Sequence, residues 1–114
     1  MIDLCVVNYN TKSLLERFLN TLHADFTTSG KVWNLNICDN GSTDGSFEWL
    51  EENKDTYYIA NGWKKANIGY SAACNLMASS TYGDVIGLLN ADVWLTSQDL
   101  IDIEKIILKL IKFK

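Results

Sequence analysis

The sequence predicts an α/β domain in which a mostly parallel sheet of about four strands is flanked by helices. Two observations carry that prediction. Short apolar runs alternate with stretches of helical periodicity in the order βαβαβαβ, with one further helix at the end. No internal repeat or linker interrupts the alternation, so residues 1–114 are expected to form a single domain. Such an order calls for right-handed crossovers between parallel strands.

Ile2 to Val7 is an apolar run carrying one acid, as expected of a strand covered on both faces. Asn8-Tyr9-Asn10 ends it. Thr11 suits the N-cap of a helix from Lys12 to about Leu22, with Leu14, Leu15, Phe18, Leu19 and Leu22 on one stripe. A polar stretch around Thr27 to Gly30 precedes a second strand from Val32 to Cys38. Asp39-Asn40-Gly41-Ser42 is a turn, and Thr43 or Asp44 caps a helix that carries Phe47, Trp49 and Leu50 and fades near Asn53. Tyr57 to Ala60 reads as a short third strand, followed by Asn61-Gly62, a turn signal that also suits a hairpin. Asn67-Ile68-Gly69 leads into an Ala- and Ser-rich helix from about Tyr70 to Tyr82. Val85 to Leu89 is the fourth strand, ending at Asn90-Ala91-Asp92.

The last helix spans about residues 97–112, with acids early and Lys105, Lys109 and Lys112 late, which suits the helix dipole. Leu100, Ile103, Ile107 and Leu110 make one apolar face, while Ile101, Leu108 and Ile111 lie off it. A helix apolar over most of its girth wants two partners. One is the sheet, and the other is a second copy of the chain, with a membrane surface as the alternative.

Composition narrows the functional classes. The chain is 47% hydrophobic, with four Trp, five Tyr and four Phe, which argues against disorder. A net charge of −4 and the lack of a clustered basic surface argue against nucleic acid. No segment reaches the ~20 apolar residues of a membrane span, and the first residues lack the pattern of a signal peptide. Cys5, Cys38 and Cys74 are too far apart for a cysteine metal site and read as buried free thiols, hence a reducing, cytoplasmic setting. His23 reads as an ordinary helix histidine. Neither GxGxxG after the first strand nor a Walker sequence is present.

Ligands of open parallel sheets bind outside the carboxyl ends of the strands. Three of the predicted strands end there in Asn8-Tyr9-Asn10, Asp39-Asn40-Gly41-Ser42 and Asn90-Ala91-Asp92. Asp39 can accept from a base imide or a ribose hydroxyl, or else cap its own turn. Tyr9 offers a ring for stacking on a base, or for packing over the sheet edge. Asp92, with Asn90 two residues before it, suits an oxygen-liganded Mg²⁺ or Mn²⁺ carrying a diphosphate. Asp92 could instead cap the final helix, but Thr96 and Ser97 already suit that task. The backbone after Asn67 and Gly69 opens a helix whose N–H groups could face phosphate.

Taken together, Val6-Val7-Asn8-Tyr9-Asn10, Asp39-Asn40-Gly41-Ser42-Thr43-Asp44-Gly45-Ser46, Asn67-Ile68-Gly69-Tyr70 with Asn75, Gly83-Asp84-Val85-Ile86 and Leu88-Leu89-Asn90-Ala91-Asp92-Val93 resemble the amino-terminal region of family 2 glycosyltransferases. The wording looks closest to the rhamnosyltransferase-like branch. The resemblance implies a GT-A fold, with the loops at Tyr9 and Asp39 holding a nucleotide base and Asp44 and Asn67 near the nucleotide or its phosphates. It places Asn90-Ala91-Asp92 where the family has its Asp-x-Asp metal motif, so that Asp92 is the expected ligand of Mn²⁺ or Mg²⁺ and the expected catalytic residue. The nucleotide-binding set is then Asn8, Tyr9, Asn10, Asp39, Asn40, Asp44, Asn67, Gly69 and Asn90.

Two departures matter. Family members normally continue with an acceptor site and a carboxylate base where residues 1–114 give one helix after the metal motif, so a minimal or truncated form is expected, and Asn90 replaces the first acid of that motif. Asp92 cannot serve as both metal ligand and acceptor base. The expectation is a minimal glycosyltransferase using a nucleoside-diphosphate sugar, most readily a UDP-sugar, with an unknown acceptor or water, and forming a homodimer through the last helix or an exposed sheet edge. The alternatives are a non-catalytic binding module and an inactive truncated transferase.

Overall fold

A computed structural model of the protein describes residues 2–24, 33–57, 59–64, 66–81, 85–92 and 95–112. The elements run β1 (Ile2–Asn8), α1 (Lys12–Ala24), β2 (Trp33–Asp39), α2 (Ser46–Asn53), β3 (Ile59–Lys64), α3 (Tyr70–Ser79), β4 (Val85–Asn90) and α4 (Ser97–Lys112). The strands form one sheet in the order β3-β2-β1-β4, and every neighbouring pair is parallel. This is the expected α/β architecture, and it brings the ends of β1, β2 and β4 to one rim.

The apolar periodicities account for two buried layers. On one face Ile2, Leu4 and Val6 of β1 and Trp33, Leu35 and Ile37 of β2 meet Leu15, Phe18, Leu19 and Leu22 of α1, with Leu50 and Leu100 closing the cluster. On the other, Cys5 and Cys38 meet Ala73 and Met77, whose small and flexible side chains let α3 lie close to the sheet. All three cysteines are buried and free. Burial pushes the Cys5 thiol up to about 11, reinforced by Asp3 and Cys74. Leu14, placed on the α1 core stripe by its spacing, is only partly buried and turns toward the rim instead.

The third strand differs most from expectation. It runs from Ile59 to Lys64, and Asn61 and Gly62 lie inside it, opposite Asn36 and Ile37. A tight Asn-Gly hairpin turn needs left-handed backbone, and Gly62 is not among the positive-φ glycines. The α2 crossover delivers a parallel strand here, and the extra residue is absorbed by a register shift at Leu35/Asn36. Tyr57 stays in the preceding turn, its ring 5.5 Å from that of Trp49.

Helix ends differ for local reasons. α2 starts at Ser46 because Gly45 takes a left-handed φ of 85°. α3 stops at Ser79, where the Ser79 and Ser80 hydroxyls donate to the Leu76 carbonyl at 3.0 and 2.8 Å and compete with the helical ladder. Tyr82, Gly83, Asp84, Val93, Val32 and the Thr27–Gly30 stretch lie outside the described residues, as does the side chain of His23. In α4, Leu100 is buried, but Ile103, expected on the same core face, is exposed, as is Ile106. The side chains from position 107 onward lie outside the described set. In β4, Val85, Gly87 and Leu89 are partly covered while Ile86 and Leu88 on the other face are exposed. No described helix is long and apolar enough to cross a membrane.

Candidate functional site

Parallel pairing places the β1–α1 and β2–α2 loops side by side, and their polar residues lock together. Asn8 is fully buried. Its Nδ2 donates to Asp39 Oδ1 at 3.0 Å and to Ser42 Oγ at 3.3 Å, and its Oδ1 accepts from Thr11 Oγ1 at 2.6 Å. Asp39, also fully buried, takes the Ser42 hydroxyl on Oδ1 at 2.7 Å and the Ser42 N–H on Oδ2 at 3.0 Å. Asn10 sits in the left-handed region with φ 51°, a conformation Asn tolerates. Its N–H donates to Ser42 Oγ at 2.9 Å, and its Oδ1 accepts from the Thr43 N–H at 2.7 Å. The Ser42 hydroxyl thus donates once and accepts twice, its full capacity.

Asp44 links two helices. Its Oδ2 accepts from the N–H of Lys12, the first residue of α1, at 3.0 Å. Its Oδ1 accepts from the N–H of Ser46, the first residue of α2, at 3.0 Å and from the Ser46 hydroxyl. Burial pushes its carboxyl up, but the bonds from Ser46 and Lys12 outweigh that and hold it below the ordinary carboxylate range. The cap expected of Thr11 on α1 is therefore made by Asp44, because the Thr11 hydroxyl turns to Asn8.

Above this network, at the carboxyl ends of β1 and β4, lies an open cavity of about 400 Å³. It is lined by Val7, Tyr9, Thr11, Leu14, Asn40, Asn67, Tyr70, Asn90, Ala91 and Asp92. Asn40 holds its wall, accepting from the Ile68 N–H at 3.0 Å and donating to Asn67 Oδ1 at 3.2 Å, which ties the approach to α3 to the end of β2. Asn67 Oδ1 also accepts from the Gly69 N–H at 3.1 Å, and Gly69, with φ 87°, turns the chain into α3 without a side-chain cap. A second cavity of about 300 Å³ between α2 and β3 contains none of the motif residues.

The structure thus divides the candidate residues. Tyr9, Asn40, Asn67, Asn90 and Asp92 line the cavity, whereas Asn8, Asn10, Asp39 and Asp44 tie the loops beneath it and Gly69 starts α3 beside it. Asp39 makes the turn-capping bonds that its position after a strand allows. Tyr70 is a lining residue that the sequence singled out only as part of a motif. Its clue was an aromatic residue at the first position of a helix opening on the same rim. The Tyr70 phenol is pushed above its ordinary value by its hydrogen bond with Cys74, then by burial.

Asp92 is exposed and, among the described residues, makes no hydrogen bond or ion pair. The last helix does not need it, since Thr96 and Asp99 cap α4 reciprocally, N–H to side chain, at 2.9 and 3.1 Å. Among the described residues no three acidic, His or Cys side chains stand together as a metal cage. The donors at the end of β4 are one carboxylate and one amide. Mg²⁺-like ions travelling with nucleotides take one or two protein carboxylates and fill their remaining positions with phosphate oxygens and water. Asp92 and Asn90 therefore fit a metal that arrives with a diphosphate and do not fit one resident alone.

A family model described as Glycosyl transferase family 2 matches residues 3–110. Among solved structures, the mannosyltransferase PcManGT from Pyrobaculum calidifontis, in complex with GDP-Man and Mn²⁺, superposes with a TM-score of 0.73 at 20% identity over 88% of this chain and 30% of that one. S. aureus TarS gives a TM-score of 0.71 at 16% identity, covering 95% of this chain and 19% of that one. TarS 1–349 in complex with UDP gives 0.71 at 16% identity over 95% of this chain and 32% of its own. The chain therefore spans about a third or less of these structures, and at such identities the likeness establishes the fold. No curated protein matches the chain by sequence.

Proposed function

The chain belongs to glycosyl transferase family 2, and from that premise we propose that it binds a nucleoside-diphosphate sugar, by preference a UDP-sugar, and transfers the sugar to an acceptor hydroxyl or to water. The observation that carries the reading is the rim cavity, in which Tyr9, Asn40, Asn67, Asn90 and the carboxylate of Asp92, without a partner among the described residues, converge. Tyr9, half exposed, supplies a ring face for the base. Asn67 and Asn90 supply amide groups for base, ribose and sugar hydroxyls, and Asn40 holds the wall beside them. The first turn of α3, which has no side-chain cap, faces its N–H groups toward phosphate. Asn8, Asn10, Asp39 and Asp44 serve the nucleotide through the loops they hold.

Charge supports dependence on a divalent cation. Among the described residues, no Lys, Arg or His lines the cavity, and Asp92 is the single acidic side chain that does. Among the described residues, a bare diphosphate would meet a carboxylate and no countercharge. When bound, Mn²⁺ or Mg²⁺ would neutralise the diphosphate and stabilise the departing nucleotide as the glycosidic bond breaks. Asp92, with Asn90 beside it, would hold the ion.

The finer parts of the proposal are membership of the rhamnosyltransferase-like branch, one domain over residues 1–114, a homodimer, and a reducing compartment consistent with three buried free thiols. The second reading is a binding module without turnover. It is favoured by one observation: among the described residues a single carboxylate lines the cavity, so engaging it with metal leaves no described lining acid to activate an acceptor. Incubation with UDP-sugars and Mn²⁺, followed by chromatography of released UDP, separates the readings. Release above the buffer rate, abolished by Asp92→Ala, is expected of the enzyme. Mn²⁺-dependent UDP binding without release would leave only the module.

A further inference from the structure

We propose that Asp44 is a positioning residue that ties the N-termini of α1 and α2 together and thereby sets the places of Tyr9 and Asn40 on the cavity rim, rather than a group that touches the nucleotide. The proposal rests on the nucleotide-sugar reading for its functional meaning but on geometry for its substance. Each oxygen of the carboxylate serves a different helix, Oδ2 the Lys12 N–H and Oδ1 the Ser46 N–H, both at 3.0 Å. The two helices begin 34 residues apart in sequence, from Lys12 to Ser46, and their first turns are adjacent: a Cβ placed on Gly45 would lie 3.8 Å from Lys12 Nζ. Helix N-termini carry unpaired N–H groups and partial positive charge, so two brought side by side repel each other and favour an anion between them. Asp44 is that anion, supplied by the chain itself. With both oxygens engaged, it has little left to offer a ribose or a phosphate, and it is not among the residues lining the cavity.

The consequence reaches the rim along short covalent paths. Tyr9 lies three residues before Lys12 in the loop that also carries Asn10 and Thr11. Asn40 lies four residues before Asp44, in the loop held to the first by Ser42 and Thr43. Shifting α1 against α2 therefore moves the ring of Tyr9 relative to the amide of Asn40, the two side chains that flank the cavity from β1 and β2.

Amide hydrogen exchange by NMR, without nucleotide, tests the tie. In Asp44→Ala the Lys12 and Ser46 amides should both exchange about fivefold faster, with shifted resonances for Tyr9 and Asn40. Asp44→Asn retains one acceptor oxygen, so one of the two amides should keep its protection and the other lose it. UDP affinity in Asp44→Ala should fall about threefold to tenfold, the size of one displaced contact, while the ratio of affinities with and without Mn²⁺ stays that of the wild type. Unchanged exchange at both amides in Asp44→Ala would overturn the proposal. So would loss of the Mn²⁺ ratio, which would make Asp44 part of the metal–diphosphate site. If the wild type binds no UDP, the nucleotide reading fails by itself, and the exchange pattern and the Tyr9 and Asn40 resonances still decide the tie.

Discussion

At the ends of β1 and β2, Asn8 and Asp39 are fully buried and bonded to each other and to Ser42. At the end of β4, Asn90 and Asp92 stand exposed, and Asp92 bonds to nothing among the described residues. Both regions carry the short polar motifs that ligand sites require, yet the first directs its polar atoms inward and the second keeps them available. One half of the rim is a frame, and the other is where an ion or phosphate has something to meet. Substitutions in the two halves should therefore fail in different ways.

The largest effect is expected in the frame. Asp39→Ala removes the acceptor of Asn8 Nδ2 and of both Ser42 donors. Leaving these groups unpaired in a buried setting should cost about 3 kcal/mol in urea unfolding. Asp92→Ala, at an exposed position, should stay within about 0.5 kcal/mol of wild type. Equal losses in both variants would erase the distinction between frame and site.

Next in size is the pH dependence of Asp44. Its carboxyl is held low in the folded state, so its contribution is full above the ordinary carboxylate range and is lost as pH falls through the folded value. The stability gap between wild type and Asp44→Asn, about 1 kcal/mol at neutral pH for a lost cap, should close as pH drops below about 4. A gap that persists at pH 2 would mean that the charge is not what stabilises the helix starts.

Most of the frame and about half of the rim were legible in the sequence. The alternation of apolar runs and helical stripes fixed the parallel sheet, because periods of two and 3.6 residues cannot be exchanged without misplacing Leu15 or Val6. The Asn61-Gly62 pair misled because local turn chemistry was overruled by the crossover that α2 imposes on β3. Ile103 misled for a related reason: helical spacing says which residues share a face, not how much of that face the rest of the chain covers. The site motifs were legible as polar turns on one rim. Their division of labour was not, since Asp39 and Asp92 look alike as acids after strands, and only the register of β1 against β2 buries one of them.

The exposed flank of β4 sharpens the contrast further. Leu88→Lys and Ile106→Lys should each change stability by less than about 0.5 kcal/mol. If β4 or α4 is the surface on which a second copy docks, the corresponding variant should sediment as a monomer where wild type is a dimer. A wild type that remains monomeric at every concentration would remove the dimer from the account. The smallest effect is on the opposite face of the sheet: Cys5, raised to about 11 and buried, should react with iodoacetamide at pH 8 only as fast as the protein opens. Rapid alkylation of folded protein would contradict the closeness of α3 to the sheet.

The most direct test of the central claim is calorimetric titration of UDP into wild type and Asp92→Ala, with and without Mn²⁺. The account predicts binding to wild type that depends on Mn²⁺ and is lost in Asp92→Ala while the variant remains folded. Binding that ignores both the metal and Asp92, or no binding of UDP, dTDP or GDP under any condition, would contradict it.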